Sequence, residues 1–187
     1  MTHDHRPDWD SLHQLAREQD GLFTTAQAQQ LGFSRPLLSH HAARGRLERV
    51  FRGIYRVSVL PLADTEAMTA LWLWSDREGV LSHETALYLF ELSDVFPRQL
   101  HLTLPKHRRH ARRQPLFGGV ALHWRAVERH AWHHHLPITT PFETIRDCLE
   151  EGTSPELLVD ALLQASARGL LIREERRALE TRLDAFR

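Results

Sequence analysis

The sequence predicts an α+β fold: an N-terminal helix–turn–helix with a two-stranded ribbon, followed by a small mixed α/β C-terminal domain. Three observations carry this expectation. Two helix signals lie three residues apart between Thr24 and Gly45, each opened by a hydroxyl residue and closed by glycine. Leu47, Val50, Ile54, Tyr55 and Val57 follow, residues that include strand formers, and Arg52–Gly53 breaks them as a turn. Beyond residue 58, helix signals alternate with stretches of period two such as Gln99–Leu104.

In the first of these regions Thr24 or Thr25 suits an N-cap, because a hydroxyl can accept from the free amides of a first helical turn. Ala28 and Leu31 share a face, and Gly32 stops the helix. Ser34 caps the next helix, and Pro36 falls in its first turn, where no amide bond is lost. Leu38 and Ala42 mark its buried face, and Gly45 ends it. Helix, short turn, helix and ribbon make the plan of a winged helix, which lays its second helix in the DNA major groove. Between Arg35 and Arg56 stand six arginines and one acid, Glu48. Such a cluster neutralises phosphates and makes binding salt-dependent.

Before this motif, Trp9, Leu12, Leu15 and Ala16 recur at helical spacing, so Asp8–Gln19 reads as a supporting helix ended by Gly21. Residues 1–6 read as a loose tail. Ser58–Asp64 reads as a linker, giving domains 1–58 and 59–187. Asp64 or Thr65 then caps a helix running to about Asp76, with Ala67, Leu71 and Trp74 on its apolar face and Ala70 and Leu73 adjoining. Ser82 caps another, running toward Leu92. Leu100, Leu102 and Leu104 share one face of a strand, and Val120–Trp124 is a candidate partner for it. Val127–Leu136 is ambiguous between strand and irregular loop. Thr139 or Thr140, with Pro141 and Glu143, opens a helix with Ile145, Cys148 and Leu149 on its apolar face. Ser154 and Pro155 open one with Leu158, Ala161, Leu162 and Ala165 inward. A last, heavily charged helix covers about Arg173–Phe186, with Leu179, Leu183 and Phe186 as its stripe.

The composition is that of a soluble globular chain: 187 residues, 42% hydrophobic, 26% charged and a formal net charge of zero. Charge is therefore informative only in its distribution. Cys148 is the sole cysteine, which rules out an intrachain disulfide and fits a reducing compartment. The polar start carries no signal-peptide core, and the apolar patch near Ala67–Trp74 is far too short to span a membrane. A cytoplasmic protein is expected.

Laid out in this order, the chain resembles the AbiEi family of type IV antitoxins. The resemblance lies in GLFTTAQAQQLGFSR, in GRLERVFRGIYRV, in LSHETALYLFELSD with LHLTLP, and in ITTPFETIRDCLEEG followed by a helix ending ARGLL. It covers nearly the whole chain; its pieces are specific as an ordered set rather than singly. It implies a winged-helix module ahead of an α/β domain, and an autorepressor of a two-gene toxin–antitoxin operon that binds repeats in its own promoter. It also implies a companion toxin similar to nucleotidyltransferases, with no stable antitoxin–toxin complex. Some relatives are solitary regulators, so that role stays open as an alternative.

The candidate contacts follow from the two motif elements. Arg35, Ser39, His40 and Ala43 face outward if Leu38 and Ala42 face inward. Arg35 stands near the helix N-terminus, where base contacts are commonly made, and an arginine can pair with guanine in bidentate fashion. Ser39 and His40 are placed to reach bases or phosphates. Arg44, Arg46, Arg49 and Arg52 are expected on phosphates, whereas Tyr55 reads as core. The run KHRRHARR holds five cations and no acid. Lys106, Arg108, Arg109, Arg112 and Arg113 are therefore candidates for a second phosphate surface, the alternative being a solvated loop.

Other function classes find less support. There is no GxxxxGK(S/T) loop, GxSxG elbow or HExxH pair, so no enzyme is expected; His83–Glu84 is explained by helix capping, with His83 a packed polar residue. His130, His133 and His134 would share one face of a helix, but Cys148 has no CxxC companion. No metal or other cofactor is expected. An interaction module without DNA binding, docking through the last helix, is the remaining alternative, and the sequence leaves monomer or dimer open.

Overall fold

The computed structural model describes residues 6–92, 96–109 and 118–185. The chain divides into two compact units, Met1–Arg77 and Glu78–Arg187.

The first unit opens with α1 (Trp9–Arg17), capped by Asp8, whose carboxylate accepts from the Ser11 amide at 3.0 Å. β1 (Leu22–Thr24) leads into α2 (Thr25–Gln30), and α3 (Arg35–Ala43) follows after four residues. β2 (Leu47–Phe51) and β3 (Ile54–Val57) complete an antiparallel sheet of order β1-β3-β2. The expected signals set these boundaries. Thr24 accepts from the Gln27 amide at 3.1 Å, and Gln27 Oε1 accepts from the Thr24 amide at 2.8 Å, a reciprocal capping box. Ser34 caps α3 with Pro36 in its first turn. The core joins Leu12 and Ala16 of α1, Phe23, Ala28, Phe33, Leu38 of α3, and Leu47, Tyr55 and Val57 of the sheet.

α4 (Glu66–Trp74) also belongs to this unit, because it packs on β1 and β3. Residues 58–64 therefore connect β3 to α4 within one unit, which differs from the linker and the domain boundary expected there. Its buried face also differs: Met68 through Leu73 are buried and Ala67 is exposed. Thr65 makes no capping bond, since its hydroxyl donates to Asp20 Oδ2 at 2.7 Å, beside Thr69 at 2.6 Å. An acid at the end of α1 thus fixes the start of α4, a long-range choice that a local cap rule does not contain.

The second unit is built on a five-stranded mixed sheet of order β6-β5-β4-β8-β7. The strands are β4 (Val80–Leu81), β5 (Leu100–Leu104), β6 (Val120–Trp124), β7 (His130–His133) and β8 (Leu136–Thr139). β5 runs parallel to β6 and β4 parallel to β8, whereas β4–β5 and β7–β8 are antiparallel. β4 takes residues that read as the break between two helices, and the ambiguous 127–136 segment becomes a strand and the start of a hairpin.

Of the helices, α5 (His83–Leu89) and α6 (Pro141–Glu151) pack on each other. α7 (Pro155–Ala167) and α8 (Arg173–Ala185) complete the layer. Thr140 and Ser154 cap α6 and α7 as expected, each followed by proline. Ser82 is different: it stands at the N-cap of α5 but makes no capping bond. This unit's own core runs through Leu87, Ile145, Cys148, Leu149, Leu158, Ala161, Leu162, Ala165, Leu179 and Leu183. Phe186, expected in the last stripe, lies outside the described residues.

Candidate nucleic-acid interface

α3 presents its two faces as its sequence demands. Leu38 is fully buried and Ala42 half-buried, while Arg35, Ser39, His40 and Ala43 are exposed. The ribbon beside it is shaped by two backbone features. Arg49 pairs with Tyr55 but Phe51 pairs with Ile54, so Val50 is an extra residue, a bulge just before the tip. Gly53 closes the tip with a φ of 83°, which side-chain-bearing residues adopt only at a cost. The Gly53 carbonyl accepts from the Thr25 amide at 2.8 Å, so the tip is tied to the first residue of α2.

This geometry brings Arg35 and Ser39 of α3 into one recess with Arg49, Arg52 and Gly53 of the ribbon, floored by Thr25 and Tyr55. Four of the expected contact residues, from two elements, therefore converge. Tyr55 is core as expected, 7% exposed and stacked on Phe23 at 6.0 Å, yet it also lines the recess. Arg44 is exposed at the end of α3. Arg46 lines a different, mostly apolar depression with Trp9, His13 and Val59. His40 stacks edge-on against His41 at 5.5 Å. His41 in turn packs edge-on against Trp9 at 4.7 Å, and burial, with Arg46 nearby, holds its pKa below the ordinary value. Arg56, the one arginine of the cluster facing an acid across the ladder, forms an ion pair with Glu48 and lies 3.8 Å from Glu66.

The second basic run is placed less uniformly. Lys106–Arg108 forms a short 3-10 turn after β5. Lys106 and Arg109 are exposed, with Arg109 over the Trp124 ring at 5.7 Å. Arg108 is half-buried; its Nε donates to Glu78 Oε2 at 2.6 Å and its Nη2 to the other carboxylate oxygen. Its charge is thus balanced within the second unit. Arg112 and Arg113 lie outside the described residues.

The histidines of the 130–135 stretch are not on a helix. β7 alternates, so His130 and Trp132 share its exposed face, with rings 4.9 Å apart, and His133 points the other way. The histidines that do converge stand far apart in sequence: His83 at the start of α5, His101 on β5 and His123 on β6. His101 Nδ1 and His123 Nε2 are 3.1 Å apart, and the His83 ring stacks on that of His123 at 3.7 Å. Burial lowers the pKa of all three, that of His83 to about 3, and each neighbouring ring reinforces it at His83. Burial thus favours the neutral imidazole at each of the three. His83 is thus more than a residue beside a helix cap. The signals available in the sequence were the period-two alternation of LHLTL and VALHW, which places His101 and His123 on faces of neighbouring strands; their parallel pairing was not readable.

No helix among the described residues is long and apolar enough to cross a membrane. Comparison with known proteins adds three findings. No curated protein matches the chain. The solved structure of the RV2827C protein from Mycobacterium tuberculosis is similar at 18% identity and a TM-score of 0.46, covering 96% of this chain and 83% of that one. Residues 10–58, from α1 through the ribbon, match the model of the family described as transcriptional regulator, AbiEi antitoxin. Over these residues the N-terminal unit is similar to the AbiEi antitoxin family of transcriptional regulators, and its helices and ribbon are consistent with a winged helix.

Proposed function

We propose that the protein is a DNA-binding autorepressor that acts on repeats in its own promoter, as the antitoxin of a type IV toxin–antitoxin operon. Its functional partner would be a nucleotidyltransferase-like toxin, opposed without a stable complex between the two. The observation that carries the DNA-binding reading is the recess shared by Arg35 and Ser39 of α3 with Arg49 and Arg52 of the ribbon. A helix and a wing that present cations to one concavity suit a groove flanked by phosphates.

In this reading Arg35 and Ser39 meet base edges, with His40 beside them. Arg44, Arg46, Arg49 and Arg52 take phosphates. Lys106 and Arg109 extend the electrostatic contact from the second unit together with Arg112 and Arg113, and Arg108, held by Glu78, contributes least. The nucleotidyltransferase partner and the promoter repeats rest on the family alone.

The test is binding of the purified chain to its own upstream DNA, with salt varied and an unrelated duplex as control. Removing Arg35 is expected to cost about 1–3 kcal/mol and to relax the choice of base. Removing Arg52 is expected to weaken both duplexes alike and to flatten the salt slope by about one unit. Equal binding of the wild-type chain to any duplex would overturn the repressor reading. A neighbouring gene whose product is neutral to growth, with or without this protein, would leave a solitary regulator.

A further inference from the structure

His83, His101 and His123 each offer one ring nitrogen such that all three atoms lie within 4.8 Å of one another. His101 Nδ1 and His123 Nε2, at 3.1 Å, are near the separation of roughly 3.3 Å that two imidazole nitrogens take when each lies ~2.0–2.1 Å from one tetrahedral zinc ion. His83 and His101 are buried, at 5% and 8% exposure, and His123 is half-buried. Three polar rings in such a place, each donating at most one N–H when neutral, would be a poor choice if filling space were their task.

Two further features position the cluster. His83 holds a φ of 52° at the first position of α5, a strained left-handed backbone of the kind that recurs at ligand-holding sites. Ser82 Oγ lies 2.9 Å from His83 Nδ1 and itself accepts from the Thr103 hydroxyl at 2.8 Å. This is the oxygen partner that a metal-bound imidazole uses to fix its tautomer. It also explains why Ser82 makes no cap bond to α5. Glu84, Glu151 and Asp147 add negative field at the strand histidines, opposed by Arg125, whose guanidinium is ion-paired to Asp147.

We propose that His83, His101 and His123 form a three-imidazole site for a zinc-class divalent cation, with the remaining coordination position open to water on the His123 side. Neutral nitrogen donors without thiolate or carboxylate suit zinc and cobalt rather than magnesium or calcium. The ion would tie the start of α5 to two neighbouring strands of the second unit.

The test uses the full chain, stripped with a chelator, dialysed and then titrated with Zn2+ or Co2+. The expected result is uptake of about one ion per chain, with the strong visible absorption of four-coordinate cobalt. His123→Gln is expected to abolish uptake, and a His130→Gln, His133→Gln, His134→Gln variant to retain it. Ser82→Ala is expected to weaken affinity about 10–100-fold. The cobalt spectrum of the wild-type chain needs no variant, so a folding defect in His123→Gln leaves the proposal exposed to refutation. No stoichiometric uptake, a pale six-coordinate spectrum, uptake that survives His123→Gln in folded protein, or unchanged affinity in Ser82→Ala would each overturn it.

Discussion

The two units of this chain solve the same problem, burying a sheet against helices, with opposite kinds of information. In the first unit every strand partner is antiparallel, and the starts of α1, α2 and α3 are written in the residues beside them: Asp8, the Thr24–Gln27 box, and Ser34 with Pro36; only α4 takes its start from a distant residue, Asp20. In the second, β5 meets β6 and β4 meets β8 in parallel, so each partner must return from elsewhere in the chain. Local signals place the residues of the recess between α3 and the ribbon. The histidine cluster exists only because two parallel strands and the start of a helix come together. The lesson is that surfaces carried by one supersecondary motif can be read locally, whereas a site made by sheet topology cannot.

The sharpest way to separate the units is through their cores. Leu38 is fully buried under α3, and Leu38→Ala is expected to destabilise the first unit by about 2–5 kcal/mol. DNA binding should fall with it. The second unit supplies an internal reporter in Cys148, which is 0% exposed, and burial pushes its thiol pKa well up. The thiol should stay unreactive toward an aromatic disulfide reagent in the Leu38→Ala protein and react once denaturant opens the second unit. Thiol release at the same denaturant concentration as loss of the first unit would show one cooperative block and dissolve the comparison.

A smaller effect tests the topology itself. A Cβ on Gly79 would lie 2.7 Å from Leu102 Cδ2 and 2.8 Å from Leu102 Cγ, with Leu102 fully buried in the neighbouring strand. Gly79→Ala must move that side chain or the two-residue β4, and overpacking of this kind typically costs about 1–3 kcal/mol. The measurement is the midpoint of thiol release in denaturant. An unchanged midpoint would mean that β4 is loosely held, and that the centre of the sheet tolerates displacement.

The balance of what could be read follows the same division. Helices α2, α3, α6 and α7 begin where capping residues and prolines predict, because a cap is decided within four residues, whereas α1 was legible from its apolar spacing. The ribbon was legible from Arg52–Gly53 and its flanking strand formers, though not the bulge at Val50. The apolar face of α4 was legible at Ala70, Leu71 and Leu73 but not at Ala67, which is exposed, or at Met68, Thr69 and Trp72, because a helix buried on nearly every side leaves periodicity little information. β4 is too short for an alternation pattern. Within the recess, Arg35, Ser39, Arg49 and Arg52 were named from the motif, but the loss of Arg56 to Glu48 and of Arg108 to Glu78 depended on ion pairs across the fold. Three histidines separated by 18 and 22 residues offer no metal-ligand spacing, so counting along the chain singles out only 130–135, where no metal is expected, and passes over these three.

The mildest prediction asks whether the local signals are as local as they read. Thr24 caps α2, and its partner Gln27 continues into the fold: Gln27 Nε2 donates to Gln19 Oε1 at 2.8 Å, and Gln19 Nε2 donates to the Leu22 carbonyl at 3.0 Å. Gln19 and Gln27 are both buried, so this amide pair satisfies polar groups that water cannot reach. Thr24→Ala removes only the hydroxyl and is expected to cost about 0.5–2 kcal/mol, the ordinary value of a cap. Gln27→Ala also strands the Gln19 amide oxygen and should cost more, because an unsatisfied buried partner adds about 1–3 kcal/mol. Chemical denaturation of the two single variants and the double variant measures the coupling. If Thr24→Ala alone matched Gln27→Ala, the cap would be one end of a cooperative network joining α1, β1 and α2. The first unit would then depend on long-range order much as the second does.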